Sequence, residues 1–255
     1  LDFIITGPLN HFGNLSKVYA VIIDGGTLHI LDGMKDLNAF FDTMDKEIGP
    51  SRTKRGTFRK MPKFATFLVP ASIRMLLTFA KDRLASYANR LEFIETGGAP
   101  ISQVDMEQLC AILPKSRLYN TYASTEAGIM TTYNFNCANR LVGCVGTGVN
   151  FTGAVRVIPD DKELYLKPLF PRIGRAYCSG ETLMSGYYDD EELTKSVFCL
   201  AGLKTSDLAE KRDPYHLFLK GRVDDVINVG GYKVSPVEVE NAAFSVPVIE
   251  DCICI

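Results

Sequence analysis

The order of apolar and polar residues up to about residue 135 predicts alternating strands and helices. Apolar runs at 64–69, 90–95 and 117–122 have the length and composition of buried strands. The first two runs are separated by apolar residues at helical spacing, which predict one long helix with a single buried face: Ile73, Leu76, Leu77, Ala80, Leu84 and Tyr87. A second helix is predicted in the same way from Val104, Leu109, Ile112 and Leu113. This alternation predicts right-handed crossovers and a largely parallel sheet.

The pattern changes after residue 140. Glycines and short β-rich runs between 141 and 219 predict a small antiparallel sheet or barrel. Further on, a strand at 226–229 is followed by a Gly-Gly turn and by Ser235, which begins a helix through a capping box with Glu238. We therefore predict an α/β fold of three parts: a parallel-sheet subdomain with flanking helices (1–140), a small β-barrel-like subdomain (141–220), and a hinge with the start of an α+β C-terminal lid (221–255).

Composition and charge exclude several classes of protein. The chain has 255 residues and 46% hydrophobic content, enough to bury a sizeable core. Its 28 basic and 30 acidic residues give a net charge of -2, which argues against a nucleic-acid-coating protein. No apolar run approaches the roughly 18 residues of a membrane helix, and no signal sequence stands at the start. We therefore expect no nucleic-acid partner, no membrane span and a cytoplasmic location.

The cysteines and histidines do not form a metal or disulfide pattern. Seven cysteines are scattered along the chain and no C-x-x-C occurs, so we expect most of them to be reduced core residues. The three histidines are His11, His29 and His216, which include no pair at the helical spacing of a metal site.

Two turns follow predicted strands and carry candidate chemistry. "ETGGAP" (95–100) leaves its strand through Gly97 and Gly98, which allow positive φ, while Pro100 favours a helix start. The same bare turn would also let a ligand approach the backbone. In the next strand's turn, Thr125 and Glu126 offer a hydroxyl and a carboxylate. Because ligands of open parallel sheets bind beyond the carboxyl ends of the strands, we expect both turns at one edge if the strands are neighbours.

A nucleotide would match these groups. Tyr122 could cover a base, Thr125 could donate to a phosphate, and Glu126 could hold Mg²⁺ through oxygen. A helix N-terminus with Thr125 as its cap and Glu126 in its first turn accounts for the same residues equally well.

Four segments in order resemble the motifs of the adenylate-forming superfamily, which comprises acyl-CoA synthetases, nonribosomal adenylation domains and firefly-type luciferases. They are "GGAP" (97–100), "NTYASTE" (120–126), "KTSDL" (204–208) and "GRVDDVINVGGYKVSPVEVE" (221–240). The last is close to the family pattern G-R-x-D-x-[IV]-x-x-x-G-x-x-[IV]-x-P-x-E-[IV]-E. "GPLNHFG" (7–13) also resembles a Pro-Leu-x-His-x-x-Gly segment of the family, shortened by one residue. The resemblance covers nearly the whole chain.

The resemblance implies an AMP-forming acid–thiol ligase. Such enzymes convert a carboxylic acid and ATP into an acyl-adenylate and pyrophosphate, then pass the acyl group to CoA, as in fatty acid metabolism. ATP or AMP, Mg²⁺, CoA and a small carboxylic acid are the implied cofactors and partners, with a homo-oligomer left open. The alternatives are a non-catalytic relative that binds a nucleotide or acyl group, and an adenylation domain that loads a carrier protein.

The resemblance also assigns roles to the first three motifs. It implies that the backbone of Gly97, Gly98, Ala99 and Pro100 lines the adenine and acyl pocket. Tyr122 would stack on adenine, Thr125 would bind the α-phosphate, and Glu126 would hold Mg²⁺.

The remaining roles fall on the later segments and on the N-terminal histidine. The resemblance implies that Asp207 binds the ribose hydroxyls and that Arg222 reaches the same nucleotide region. Asp224 would be the hinge of the C-terminal lid, Gly231 would lie near CoA, and His11 would border the acyl pocket.

The chain departs from the family pattern at several positions. Ala123 and Ser206 replace two glycines, which predicts modest shifts only. The family's phosphate loop, expected before His11, and its lid lysine, expected beyond Ile255, are missing, so we expect a fragment that is inactive as it stands. The segment "PLNHFG" also lacks the aspartate that binds an amino acid's ammonium, which favours a plain carboxylic acid. Fatty, aryl and small dicarboxylic acids remain open.

Overall fold

The computed structural model describes residues 1–46, 63–148, 154–159, 170–230, 232–244, 246, 248–249 and 252–254. The chain forms two compact units. The first unit comprises Leu1–Ala99, Asp105–Tyr119 and Asn136–Ala138. The second unit comprises Pro100–Val104, Asn120–Phe135 and Asn139–Ile255.

The first unit alternates strands and helices, as the apolar pattern predicts. In chain order the elements are β1 (Asp2–Ile5), α1 (Phe12–Asp24), β2 (Thr27–Ile30), α2 (Leu37–Lys46), β3 (Phe64–Phe67), α3 (Pro70–Phe79), α4 (Lys81–Ser86), β4 (Leu91–Gly97), α5 (Gln103–Ile112, in this unit from Asp105) and β5 (Arg117–Ser124, in this unit up to Tyr119). Strands β2, β1, β3 and β4 lie side by side in that order and are parallel, with β5 next to β4.

The predicted long helix is two helices. At Ala80 the backbone has φ −144° and ψ 26°, so α3 ends there and α4 begins at the next residue. The predicted buried residues Ile73, Leu76, Leu77, Leu84 and Tyr87 are nevertheless all buried. The break has no Gly or Pro signal in the sequence, and the core-facing residues keep their places across it.

Leu109 of helix α5 and Leu113 directly after it are buried as predicted, but the first turn of the helix differs from the prediction. Val104 is exposed, whereas Asp105 is buried and pairs with Arg74 of α3 at 3.3 Å. The ion pair gives an acidic side chain an inward position that apolar periodicity does not anticipate. The helix also begins at Gln103 and not directly after Pro100, so the prediction that Pro100 starts a helix is wrong in position.

Helix α1 buries two polar side chains beside an apolar one. Its buried residues are Asn14, Lys17 and Val21. Its exposed residues include the large apolar side chains Tyr19, Ile22 and Ile23. Val21 of this helix joins a small apolar cluster with four residues of β1 and β3: Phe3, Ile5, Ala65 and Phe67.

The second unit is built around antiparallel strands. In chain order, after the end of β5, it contains β6 (Gly128–Asn134), β7 (Cys144–Gly148), β8 (Ala154–Ile158), β9 (Arg172–Ser179), α6 (Glu191–Val197), β10 (Phe198–Cys199), β11 (Gly202–Asp213), β12 (His216–Arg222), a 3-10 turn (Val223–Asp225), β13 (Ile227–Val229), β14 (Tyr232–Val234) and α7 (Pro236–Phe244). The sheet order is β6, β7, β12, β11, β9, β8, while β10 pairs with β11 and β13 pairs with β14. The predicted α/β fold class is confirmed. The predicted boundaries at 140 and 220 stay predictions.

The start of α7 differs from the predicted capping box. The helix does begin after Ser235, but the Ser235 hydroxyl donates to the carbonyl of Lys220 at 2.5 Å. The Glu238 carboxylate accepts from the Lys220 ammonium at 2.7 Å. Both side chains therefore fasten the helix to β12, where the prediction had them capping the helix backbone.

Cysteine burial is lower than predicted. All seven cysteines are free thiols, of which Cys110, Cys144 and Cys178 are buried. Cys137 and Cys199 are exposed, and Cys252 and Cys254 are half-buried, so the expectation that most lie in the core is wrong. Within the described ranges, no helix combines the length and the apolar character that a membrane crossing requires.

Candidate functional site

Thr125 and Glu126 lie in the tight turn of a β-hairpin. They follow β5, and β6 begins two residues later at Gly128, whose φ of 71° is one that glycine adopts readily. The Ala127 amide donates to the Ser124 hydroxyl at 3.1 Å, which tightens the turn. The alternative that these residues begin a helix is therefore wrong. Thr125 is exposed, and its hydroxyl has no partner among the described residues.

A second segment of the same unit holds this turn in place. The Met184 amide donates to the Glu126 carbonyl at 2.7 Å, and the Thr182 hydroxyl donates to the Ala127 carbonyl at 2.7 Å. The Tyr187 hydroxyl donates to the Glu126 Oε1 at 3.2 Å. Burial raises the pKa of Tyr187, and the Glu126 charge raises it further, so this phenol stays a donor.

The arrangement leaves half of the Glu126 carboxylate available. Among the residues that the structure describes, Oε2 of Glu126 has no partner. No group of three His, Cys, Asp or Glu residues that could hold a metal occurs within those residues. A single accessible carboxylate fits Mg²⁺ bound mainly by phosphates and water, and does not fit a cage built wholly from protein ligands.

Tyr122 and Asp207 are 85 residues apart in sequence and meet in the structure. The Tyr122 hydroxyl donates to the Asp207 Oδ2 at 2.6 Å. Tyr122 is only 6% exposed and packs in an apolar cluster with Ala127, Met130 and Cys178. Burial raises the pKa of Tyr122 far above its ordinary value, and the Asp207 charge adds to this shift. The phenol is therefore held neutral as a donor to the carboxylate.

The strand register brings Arg222 to the same place. Asp207 of β11 is the direct cross-strand partner of Arg222 of β12. Thr205 of β11 holds the backbone of Asp207 in place. The Asp207 amide donates to the Thr205 hydroxyl at 3.1 Å, and that hydroxyl donates to the Ala176 carbonyl of β9 at 2.8 Å. Arg222 is exposed, and its guanidinium has no partner among the described residues. The second unit thus assembles an aromatic ring, a carboxylate and a cation.

The thiol of Cys178 lies beside Tyr122 in the apolar cluster. Burial raises the pKa of Cys178 to about 11, with the Asp207 charge acting in the same direction and the Tyr122 hydrogen bond against it. The physical cause of the shift is that Cys178 is fully buried, which disfavours the charged thiolate.

The candidate residues of the first unit lie at the carboxyl ends of β1 and β4. His11 caps α1, because its Nδ1 accepts from the Gly13 amide at 3.2 Å. Gly97 is the last residue of β4, and Gly98 follows with φ of 80°. A Cβ added to Gly98 would meet no heavy atom within 4 Å. Ala99 ends this stretch of the first unit, and Pro100 begins the second.

Some site features are not anticipated by the sequence. Lys17 of α1 and Glu95 of β4 form a buried ion pair at 2.6 Å, for which the one available signal was two charges within otherwise apolar segments. Tyr187 follows a glycine in "SGYY", with no signal that it reaches Glu126. Asp224 lies exposed in the 3-10 turn after β12, and Gly231 falls outside the described residues.

Comparison of the sequence with known proteins identifies its relatives. The sequence model described as "AMP-binding enzyme" matches residues 2–188. A probable CoA ligase of Humulus lupulus is 27% identical over 252 residues, which cover 98% of this chain and 43% of the relative. 4-coumarate–CoA ligase 1 of Glycine max is 29% identical over 166 residues, which cover 63% of this chain and 56% of the relative. The chain thus spans about half the length of these curated relatives.

Solved structures share the fold. An amide bond synthetase of Marinactinospora thermotolerans superimposes with a TM-score of 0.79 at 24% identity, covering 98% of this chain and 47% of that one. O-succinylbenzoate coenzyme A synthetase of Bacillus subtilis, in complex with ATP and magnesium ion, gives a TM-score of 0.77 at 20% identity, with 98% and 47% covered.

Proposed function

The chain belongs to the family of AMP-binding enzymes, and on that premise we propose that it takes part in the ATP-dependent activation of a carboxylic acid, followed by transfer of the acyl group to CoA. In the first step a carboxylate oxygen bonds to the α-phosphorus of ATP while the bond to pyrophosphate breaks. In the second step the CoA sulfur bonds to the acyl carbon and AMP leaves. The observation that carries the proposal is the 2.6 Å bond between Tyr122 and Asp207, which unites two separate motifs.

The nucleoside is held in the second unit. The bond to Asp207 fixes the ring of Tyr122, whose small exposed part lies against adenine. Asp207 accepts from the ribose hydroxyls, since each carboxylate oxygen has two acceptor sites and one of the four is used by Tyr122. Arg222, opposite Asp207 and without a protein partner among the described residues, reaches the same nucleotide.

The phosphates meet the turn between β5 and β6. The exposed hydroxyl of Thr125 donates to the α-phosphate. Glu126 holds Mg²⁺ through the oxygen that Tyr187 leaves available. When bound, Mg²⁺ supplies positive charge opposite the phosphate oxygens. The segment from Thr182 to Tyr187 keeps the turn in one position before ATP arrives.

The acid and CoA are assigned to other elements. The backbone of Gly97 to Pro100 lines the adenine and acyl pocket, and the open space above Gly98 is consistent with close approach of a ligand. His11 borders the acyl pocket at the start of α1. Asp224 is the hinge of a C-terminal lid, and Gly231, outside the described residues, approaches CoA. The acid carries no α-ammonium, because "PLNHFG" offers no carboxylate to pair with one.

Pyrophosphate release tests this proposal. The full-length protein is incubated with ATP, Mg²⁺ and octanoate, benzoate or an amino acid, and CoA is then added. We expect release with an acid and acyl-CoA after the addition of CoA, with the Glu126→Gln variant slower by about 10²-fold or more. Glu192→Gln, an exposed carboxylate on α6, is the matched control and should match the wild type. ATP binding without release in the presence of any acid would favour a non-catalytic binding relative.

A further inference from the structure

Helix α1 buries charge at the end where ligands bind. Its buried polar residues Asn14 and Lys17 are three residues apart and share one stripe, which the exposed N-cap residue His11 begins. Asn14 and Lys17 are 4% and 8% exposed, whereas apolar residues of the same helix face outward. A helix that served only to cover the sheet would bury apolar side chains at positions 14 and 17, as it does at Val21.

The Lys17 ammonium is paired but not saturated. Its Nζ lies 2.6 Å from Oε2 and 2.7 Å from Oε1 of Glu95, and both side chains are nearly buried. An ammonium has three N–H donors, and two of them suffice for this carboxylate. The third has no acceptor among the described residues, and Nζ also lies 6.0 Å from the centre of the Phe67 ring.

A second polar group on the stripe has an open valence. The Asn14 Nδ2 donates to the Pro8 carbonyl at 3.3 Å. Its Oδ1 is buried and accepts no hydrogen bond from any residue that the structure describes. Buried side-chain oxygens almost always have a partner, so this one calls for a donor from elsewhere.

The pair lies at the substrate end of the parallel sheet. Glu95 shares a face of β4 with Phe93 and Gly97, because alternate residues of a strand point the same way. Phe93 packs on the apolar cluster beneath α1, so Glu95 and then Gly97 continue that face toward the carboxyl end of β4. The loop from β1 to His11 leaves the same end of the sheet. Lys17 follows His11 by six residues and Glu95 precedes Gly97 by two, so the ion pair is joined along the chain to both elements assigned to the acyl pocket.

We infer that Lys17 and Glu95 select an acid whose tail carries a hydroxyl group. A hydroxyl can accept from the third N–H of Lys17 and donate to a carboxylate oxygen of Glu95, or to Asn14 Oδ1. An alkyl tail would remove the last water from two charges and return no hydrogen bond. A second carboxylate on the tail would face the charge of Glu95. This inference rests on the proposed function and narrows its substrate class.

Matched pairs of acids test the inference on the full-length protein. Pyrophosphate release is measured with octanoate against 8-hydroxyoctanoate and with benzoate against 4-hydroxybenzoate. A site built to bind a hydroxyl discriminates strongly against its absence, and we expect kcat/KM to favour one hydroxy acid by about 10²-fold or more. Equal rates within both pairs, or a preference for the plain acids, would overturn the inference and leave the proposed function standing. No release with any acid would overturn both.

Variants then connect the preference to the two residues. Replacing the pair with apolar residues of similar size (Lys17→Met with Glu95→Leu) should reduce the preference for the hydroxy acid to within about threefold. The reduction should come from a lower kcat/KM for the hydroxy acid. Lys17→Arg keeps the charge and should retain most of the preference for the hydroxy acid. A purely structural role of Lys17 does not predict that this preference follows the charge. The control is Arg74→Met with Asp105→Leu, another ion pair of the first unit, which should leave the ratio unchanged. A ratio that persists in the Lys17–Glu95 variant would contradict the assignment.

Discussion

The two units of the molecule hold their candidate residues by different means. In the first unit the residues lie at the ends of parallel strands and on α1, so their positions follow from the order of the elements. In the second unit Tyr122, Asp207 and Arg222 come together through antiparallel register and one side-chain bond. The first arrangement tolerates changes that keep the elements, whereas the second depends on particular side chains.

Of the changes that test this comparison, the largest effect is expected from removing the charge at the centre of the second unit. Asp207→Asn keeps the shape but weakens acceptance from Tyr122 and the ribose, and hydrogen bonds to charged groups contribute about 1.5–3 kcal/mol. We expect kcat/KM for ATP to fall roughly 10–100-fold in pyrophosphate-release assays. Asp213→Asn, at the far end of the same strand, is the control and should match the wild type. An unchanged response to ATP would contradict the role of Asp207.

Thiol alkylation tests how well the core of the second unit protects its buried thiol Cys178. With its pKa of about 11, Cys178 is about 1% thiolate at pH 9, whereas a thiol at the ordinary 9.0 is half ionised. We expect iodoacetamide to label the exposed Cys137 and Cys199 at least about 50-fold faster than Cys178, as measured by mass spectrometry of the digest. Labelling of Cys178 as fast as that of the exposed thiols would contradict its burial in the second unit. Equally fast labelling of the buried Cys110 would extend that contradiction to the first unit.

Backbone geometry in the first unit gives a moderate effect. Gly98→Ala places a Cβ on a residue with φ of 80°, which costs about 1–2 kcal/mol. The thermal midpoint should fall by roughly 2–8 °C, together with the rate of acid activation. Gly33→Ala is a matched control, because Gly33 has φ of 82° and equally open surroundings, and no role in the proposed site is assigned to it. Equal loss of activity in both variants would mean that the Gly98 turn has no special role.

The smallest effect concerns pH. Burial acts to raise the pKa of Glu210, but hydrogen bonds from Arg212 and Lys220 outweigh it and hold the pKa below 4.5. Because the folded value is depressed, this carboxylate stabilises the fold above pH 4.5, and the contribution is lost as pH falls below that value. Glu210→Gln should lower the thermal midpoint by about 2 °C at pH 6, and the difference should shrink toward pH 3. A constant difference across this range would contradict the assignment.

Local patterns predict the elements of the first unit from residue 64 onward, because the strands and helices there carry apolar repeats. The strands at 64–67 and 91–97 lie where the apolar runs place them. The break at Ala80 and the inward turn of Asp105 escape prediction, since both depend on packing against other elements.

The candidate site is predictable only in part. Motif resemblance locates Tyr122 and Asp207 separately, but their bond depends on the fold of the intervening 85 residues. The contact of Tyr187 with Glu126 likewise joins positions 61 residues apart. The Lys17–Glu95 pair is hidden because each residue alone resembles an ordinary surface charge.

The outward face of α1 has a practical consequence for anyone who produces this chain. Tyr19, Ile22 and Ile23 are 61%, 65% and 86% exposed, and contiguous apolar surface of this kind promotes association in water. Preparations of the chain alone should therefore sediment as mixed aggregates at high concentration. Serine at positions 22 and 23 should give a cleaner monomer, without touching the buried stripe on the opposite side of the helix.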